Sequence, residues 1–166
     1  MDVLWIIVEA LKFILPVYCA NAVPVLAGGG LPLDLGKGFI DGKPVFGKNK
    51  TVRGFFVGLF VGTSAGLAET VAFGFPLLFG PLVSLGALSG DLLGAFVKRR
   101  LGLAPGRLLP VVDQIDFILG ALLFSLPLGL TTLSWEVAAM ALVITPPIHL
   151  LTNYCAYKLE LKNNPW

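Results

Sequence analysis

The sequence predicts an all-α integral membrane protein with five transmembrane helices, its N-terminus outside and its C-terminus cytoplasmic. Of 166 residues, 56% are hydrophobic and 13% charged, with a mean hydropathy of +0.86. A soluble domain of this size needs far more polar residues to cover its surface. Apolar runs of about 20 residues, enough to cross a hydrocarbon core, recur along the chain. The basic residues, finally, all but one fall on alternate connections between those runs or in the tail.

The runs are Val3–Leu26, Phe55–Phe73, Phe75–Val97, Val111–Leu130 and Trp135–Tyr157. The first lacks the basic flank and cleavage site of a signal peptide and is expected to stay in the mature protein. The last contains Pro146 and Pro147, which should kink it. Residues 1–166 form a single transmembrane domain with long connections at 27–54 and 98–110. No internal repeat is evident, and an odd number of spans argues against paired inverted halves. Cys19 and Cys155 both fall in predicted spans and read as buried packing residues.

Of the 12 Lys and Arg, Lys37, Lys43, Lys48, Lys50 and Arg53 lie in the first long connection. Lys98, Arg99, Arg100 and Arg107 lie in the second, Lys158 and Lys162 in the tail, and Lys12 stands alone. The connections at Phe73–Pro76 and Gly129–Glu136 carry neither residue. The positive-inside rule makes both basic loops cytoplasmic.

Basic loops can do no more than set topology and touch anionic lipid. The segment LAGGGLPLDLGKGFIDGKPVFGKNKTVRG, Leu26–Gly54, has the composition for more. Glycines admit close backbone approach to an anion, single lysines supply charge, Phe39 and Phe46 offer apolar anchors and Thr51 a hydroxyl. GKNKT lacks the glycine spacing of a P-loop.

Polar residues from distant parts of the chain share the same membrane half. Asp91 lies about two turns, roughly 10 Å, before the Lys98–Arg100 cluster. Asp113 and Asp116 open the fourth run and share one helix face. Asn21, His149, Asn153 and Tyr154 fall at similar depth. Such groups face a bundle interior or wet cavity, here one opening to the cytoplasm. Plainer roles stay open: Asp113 and Asp116 as helix-start carboxylates, Asp91 as a partner of Lys98, His149 as a structural residue beside a kink, and Asn21 as interhelical glue. In the other half, Glu9 and Lys12 are one turn apart and should pair; Glu69 is placed to join them. That group reads as structural.

Three carboxylates suit Mg²⁺, which takes one or two of them together with substrate phosphates. Lysines, arginines and glycine-rich backbone suit the phosphates. The combination points to phosphoryl or nucleotidyl transfer at a lipid headgroup. The alternative is a non-enzymatic transporter or binding protein for a phosphorylated solute, which has no need of a metal-grade carboxylate trio.

The run SGDLLGAFVKRRLGLAPGRLLPVVDQIDF, Ser89–Phe117, resembles the signature region of the membrane CTP:phosphatidate cytidylyltransferase family. That pattern places Ser and Asp on a helix, then Lys-Arg, a glycine, a proline and Asp-x-x-Asp: here Ser89, Asp91, Lys98-Arg99, Gly102, Pro110, Asp113 and Asp116. IDGKPVFGKNKTVRGF (Ile40–Phe55) and YCANAVPVL (Tyr18–Leu26) resemble its compact archaeal branch, the CDP-archaeol synthases. Bacterial and eukaryotic members usually carry Gly-His-Gly-Gly after the proline and Arg after the first Asp. This chain lacks that segment and has Gln114 there, as suits the archaeal branch. The CDP-alcohol phosphotransferase motif, Asp-Gly-x-x-Ala-Arg, is absent.

The resemblance implies a multi-pass cell-membrane enzyme, its active site facing the cytoplasm, joining CTP to 2,3-bis-O-geranylgeranylglyceryl phosphate with release of pyrophosphate. It implies Mg²⁺ on Asp91, Asp113 and Asp116, with Lys98 also catalytic. Asn21, Lys37, Lys43, Lys48, Lys50, Thr51, Arg53, Ser89 and Arg99 are the expected substrate-binding set. The expected partners are CTP, the isoprenoid lipid phosphate and the bilayer, with no nucleic acid.

Overall fold

The computed structural model describes residues 2–104, 107–109 and 111–162. Pro110 lies outside the described residues. Five α-helices run up and down: α1 Val3–Ala27, α2 Val52–Phe73, α3 Phe79–Arg100, α4 Val112–Ser125 and α5 Trp135–Lys158. A 3-10 turn, Leu126–Leu128, follows α4. The described residues include no β-strand, only isolated bridges at Pro32–Thr51 and Gly38–Pro44. Up-and-down order gathers residues 28–51, the link from α3 to α4 and the C-terminal tail at one end, the loop pole.

Local chemistry explains the helix limits. The Asp2 carboxylate accepts from Leu4 N–H at 3.2 Å at the start of α1, and the Ser134 hydroxyl accepts from Val137 N–H at 3.4 Å at the start of α5. Thr51 Oγ1 accepts from Gly54 N–H at 3.1 Å, which starts α2 three residues earlier than the apolar run suggests. Pro76 delays α3 to Phe79, and Pro127 with Gly129 ends the fourth run's α-helix at Ser125, short of Leu130. α5 continues through Pro146 and Pro147. Cys19 is half-buried and Cys155 exposed, so Cys155 is not the buried thiol its position in an apolar run suggests.

Four helices, α1, α2, α3 and α5, are long and apolar enough to cross a membrane. α4, with 14 residues, is shorter. Phe13, Val17, Phe79, Val83, Phe117, Ile118 and Val137 fill the core, drawn from every helix except α2. α2 docks through glycine instead: Gly54, Gly58, Gly62 and Gly66 form a buried stripe one turn apart. A Cβ on Gly66 would strike the backbone of Gly80 on α3. Small residues permit this backbone approach where lipid supplies no hydrophobic drive between helices. The outward side chains Phe56, Phe60, Val71, Leu93, Leu123 and Val143 are exposed, as bilayer-facing surface would be.

Candidate active site

The first long connection is folded against the bundle. Asp34 pins it: Oδ2 accepts from Phe46 N–H at 3.0 Å and Gly47 N–H at 2.9 Å, while Oδ1 accepts from Gly36 N–H at 3.0 Å. Partial burial disfavours its charged form, but these backbone donors outweigh that and hold the carboxyl below its ordinary range. Arg100 then clamps the loop to the end of α3. Its guanidinium donates to Asp41 at 2.6 Å and to the carbonyls of Lys43 and Pro44, and it lies over the rings of Phe39 and Phe96. Lys43 Nζ returns a bond to Arg100 O at 2.9 Å. Lys43, expected from the sequence to bind substrate, and Arg100 thus hold the loop down.

That fixed loop delivers Lys50 to α3. Its ammonium donates to both Asp91 carboxylate oxygens, at 2.6 and 2.5 Å. Lys98, the other partner open to Asp91, turns instead to Asp113 at 2.8 Å. Seven helical residues separate Lys98 from Asp91 by about 10 Å of rise, and α4 brings Asp113 closer. Asp113 Oδ2 also accepts from Leu109 N–H at 2.9 Å, so one carboxylate stitches the α3–α4 link to the helix that follows.

The turns around these residues are built for the purpose. Gly102, at φ 75, sits just beyond α3; its N–H donates to Arg99 O at 3.1 Å and that of Leu103 to Lys98 O at 3.0 Å. This is a Schellman ending, and it gives the signature glycine its reason. Val111 enters α4 at φ 67, an outlier for a β-branched residue, one position before the helix that carries Asp113 and Asp116.

Asp116 is half-buried, as are Asp91 and Asp113, and lies within electrostatic reach of both and of Lys50. Its Oδ1 accepts from Phe117 N–H at 2.7 Å. Oδ2 lies against Gly94, where any Cβ would strike it. Glycine on α3 therefore clears room for this carboxylate. Arg99 is buried at 6% exposure and within electrostatic reach of Asp113.

The remaining expected residues divide. Thr51 is buried and caps α2. Asn21 and Ser89 are half-buried, whereas Lys37, Lys48 and Arg53 are exposed at the loop pole. Among the described residues, no three His, Cys, Asp or Glu side chains are gathered closely enough to hold a metal ion. The expected trio shares the pole, but Asp91 and Asp113 are each drawn onto a lysine.

Three residues outside the expected substrate set also reach this pole. His149 packs its ring against Phe117 at 5.5 Å. Asn153, one turn on, meets a His149 ring nitrogen at 3.2 Å and accepts from Lys162 Nζ at 3.0 Å. His149 and Asn153 were visible as an i, i+4 polar pair in an apolar run; Lys162 carried no such signal. At the far end, Glu9 and Lys12 pair at 2.6 Å as expected, beside Glu69.

Comparison with known proteins matches residues 3–166 to the family model CarS-like: CDP-archaeol synthase. The CDP-archaeol synthase of Methanococcus aeolicus is 44% identical, with all of both chains covered. That of Pyrococcus furiosus is 44% identical over 96% of this chain and 98% of its own, and that of Aeropyrum pernix 45% over 96% and 92%. A solved structure, described as an intramembrane enzyme for archaeal membrane lipids biosynthesis, superposes with a TM-score of 0.82. It is 43% identical and covers 89% of this chain and 94% of its own. In sequence and in fold, the chain belongs to the CDP-archaeol synthase family and is a membrane nucleotidyltransferase.

Proposed function

We propose that the loop pole is a cytoplasmic active site that transfers the cytidylyl group of CTP to 2,3-bis-O-geranylgeranylglyceryl phosphate. The observation that carries this reading is the convergence of Asp91, Asp113 and Asp116 with Lys50 and Lys98 from distant segments. The family membership of the chain supports it.

All five helices cross the bilayer in this reading. α4 and its 3-10 turn together rise about 27 Å, close to the thickness of a hydrocarbon core. The loop pole carries both basic connections and the basic tail, so the positive-inside rule turns it to the cytoplasm and the N-terminus outward.

The lipid phosphate is already ionised at neutral pH, and one of its oxygens attacks the α-phosphorus of CTP. A new P–O bond forms as the bond to the β-phosphate oxygen breaks, pyrophosphate leaves, and the CDP-lipid remains. No strong general base is needed; the barrier is the approach of two anions. Lys50, Lys98 and Arg99 lower it by sharing charge with the phosphates. Lys37, Lys48 and Arg53 widen the positive rim, while Asn21 and Ser89 border it.

The chemistry of the donor set, three carboxylates, also suits a hard dication, although the three do not close on one point as they stand. Asp91 and Asp113 are oxygen donors within electrostatic reach of Asp116, and a shared ion would require them to exchange Lys50 and Lys98 for the metal and draw closer to Asp116. Mg²⁺ held by them would neutralise charge on the transferring phosphates. Lys50 and Lys98 then have two jobs, orienting the carboxylates and reaching toward phosphate.

The direct test uses purified protein in detergent with Mg²⁺, labelled CTP and the geranylgeranylated glyceryl phosphate. Label entering the lipid phase, and stopping on chelation, is the expected result. No transfer to this lipid or to any phosphatidic or archaetidic acid would overturn the reading.

A further inference from the structure

We propose that the hairpin tip Phe39–Ile40 inserts into the bilayer surface at the loop pole, so that lipid holds in place the connection that delivers Lys50 to Asp91. This contact depends on the membrane setting of α3 and not on the reaction proposed above.

The tip is a tight, closed turn. Phe39 N–H donates to Lys43 O at 2.7 Å and Gly42 N–H to Phe39 O at 2.9 Å. The Asp41 carboxylate accepts from Lys43 N–H at 3.1 Å, and a bridge between Gly38 and Pro44 closes the base. Gly42, at φ 76, supplies the left-handed step that the reversal needs. Ile40 and Asp41 are the central residues of the turn. Turns favour Gly, Pro, Asn, Asp and Ser, whose backbones or short polar side chains suit the reversal. Asp41 conforms to that preference and Ile40 does not. Ile40 is 95% exposed and Phe39 43%. A backbone fixed in this way holds both side chains off the rest of the protein, and their apolar surface is left for a partner outside the chain.

The place of the tip identifies that partner. Leu93, Phe96, Val97 and Arg100 share one face of α3 by their three- and four-residue spacing. Leu93 and Val97 are exposed, on a helix long and apolar enough to cross a membrane. The hairpin lies on the same face. Phe39 sets its ring edge-on to Phe96 at 5.2 Å, and the Arg100 guanidinium holds the Asp41 carboxylate and the carbonyls of Lys43 and Pro44. α3 rises about 33 Å against a hydrocarbon core of about 30 Å. Its last turn, Phe96 to Arg100, is therefore level with the edge of that core. Phe39 and Ile40 continue the bilayer-facing strip of Leu93 and Val97 into the interface. Lys37 and Lys43, both exposed, flank the two apolar side chains, where anionic headgroups attract them. An apolar tip between lysines is the composition of an interfacial anchor. Beyond the tip the same connection, pinned by Asp34, runs on to Lys50 and its pairing with Asp91.

The test uses the full-length protein in lipid nanodiscs without CTP or lipid phosphate, so its outcome is independent of transfer. Ile40→Trp is compared with wild type in discs of phospholipid brominated near the top of its chains, and separately with acrylamide in the water. The emission that Ile40→Trp adds should be lost to bromolipid and spared by acrylamide. Added emission that bromolipid leaves intact would overturn the proposal: quenching by acrylamide would then place the tip in water, and no quenching would place it against protein. Amide exchange gives the second readout. Ile40→Ser keeps a residue suited to turns but removes the apolar side chain. In discs it should speed exchange at the hydrogen-bonded amides of Phe39, Gly42 and Lys50 about tenfold, while Ile40→Leu should match wild type. Wild-type exchange rates in Ile40→Ser would show that lipid does not hold the connection, as would equal acceleration in the Ser and Leu variants.

Discussion

At the far end of the bundle, Glu9 pairs with Lys12 three residues along the same helix, and Glu69 lies beside them with both carboxylate oxygens buried and accepting no hydrogen bond. At the loop pole, Asp91 takes its lysine from 41 residues away and Asp113 from 15. The far group has two carboxylates to one ammonium and repels phosphate. The loop group sets three carboxylates among Lys50, Lys98 and Arg99, with further basic residues on the rim, a balance that suits the phosphate binding proposed above. Burial of charge is common to both ends. Among the described residues, long-range convergence beside a basic rim is seen at the loop pole, and that contrast supports the proposed site.

Replacing Asp116 with Asn should break the contrast most severely. Asn keeps the shape but removes the carboxylate that both other aspartates reach. Label transfer should fall on the order of 10³-fold, equivalent to several kcal/mol of transition-state stabilisation. Thermal unfolding should barely move, and a full-speed Asn variant would remove Asp116 from the site.

Glycine variants at the two ends should then separate activity from stability. Gly94→Ala directs a Cβ at the Asp116 carboxylate, a side chain that can move aside. Activity should fall about 10- to 100-fold for a displacement of this kind, with little thermal change. Gly66→Ala meets the backbone of Gly80, which cannot move aside. It should lose about 1–3 kcal/mol of stability, while the folded protein keeps its turnover. Reversal of these two outcomes would show that the α3–α4 glycines serve packing alone.

Lys50→Gln leaves Asp91 without its ammonium and should cost about tenfold in kcat/KM, as expected for one charge-assisted contact. A milder effect comes from acid. The Asp34 carboxyl is held below its ordinary range by backbone N–H groups, so it ionises more readily folded than unfolded. Its contribution to loop order is complete above the unfolded carboxyl pKa and disappears as pH falls through the depressed folded value. Amide exchange at Gly36, Phe46 and Gly47 should stay slow down to about pH 4 and accelerate below it. Acceleration already near pH 6 would count against Asp34 as the pin.

The helix limits of α1 and α5 were legible in the sequence to within a residue, because apolar runs dominate their hydropathy and the prolines inside them do not end either helix. The start of α2, both limits of α3 and the end of α4 were not, because they depend on a threonine cap, on Pro76, on a basic last turn and on Pro127, which apolar averaging passes over. The site divides similarly. Aspartates in apolar runs declare themselves by their cost, so Asp91, Asp113 and Asp116 could be placed together. Pairing was hidden, since Lys50 reaches Asp91 only through a loop path fixed by Asp34 and Arg100. Lys162 was hidden further, because the turn that delivers it uses Glu160 where a glycine would have announced it.

The smallest expected effect tests the far end directly. Among the described residues Glu69 accepts no hydrogen bond and Lys12 already pairs with Glu9, so removing the Glu69 charge gives up only a through-space attraction to Lys12 and also removes a burial penalty. Glu69→Gln should therefore leave label transfer within about twofold of wild type and stability equal or slightly higher. That outcome, set beside the loss in Asp116→Asn, would show that depth in the bundle is not what makes a carboxylate functional here. A Glu69→Gln enzyme as impaired as Asp116→Asn would mean that the far end takes part in the reaction, and the division between the two poles would have to be given up.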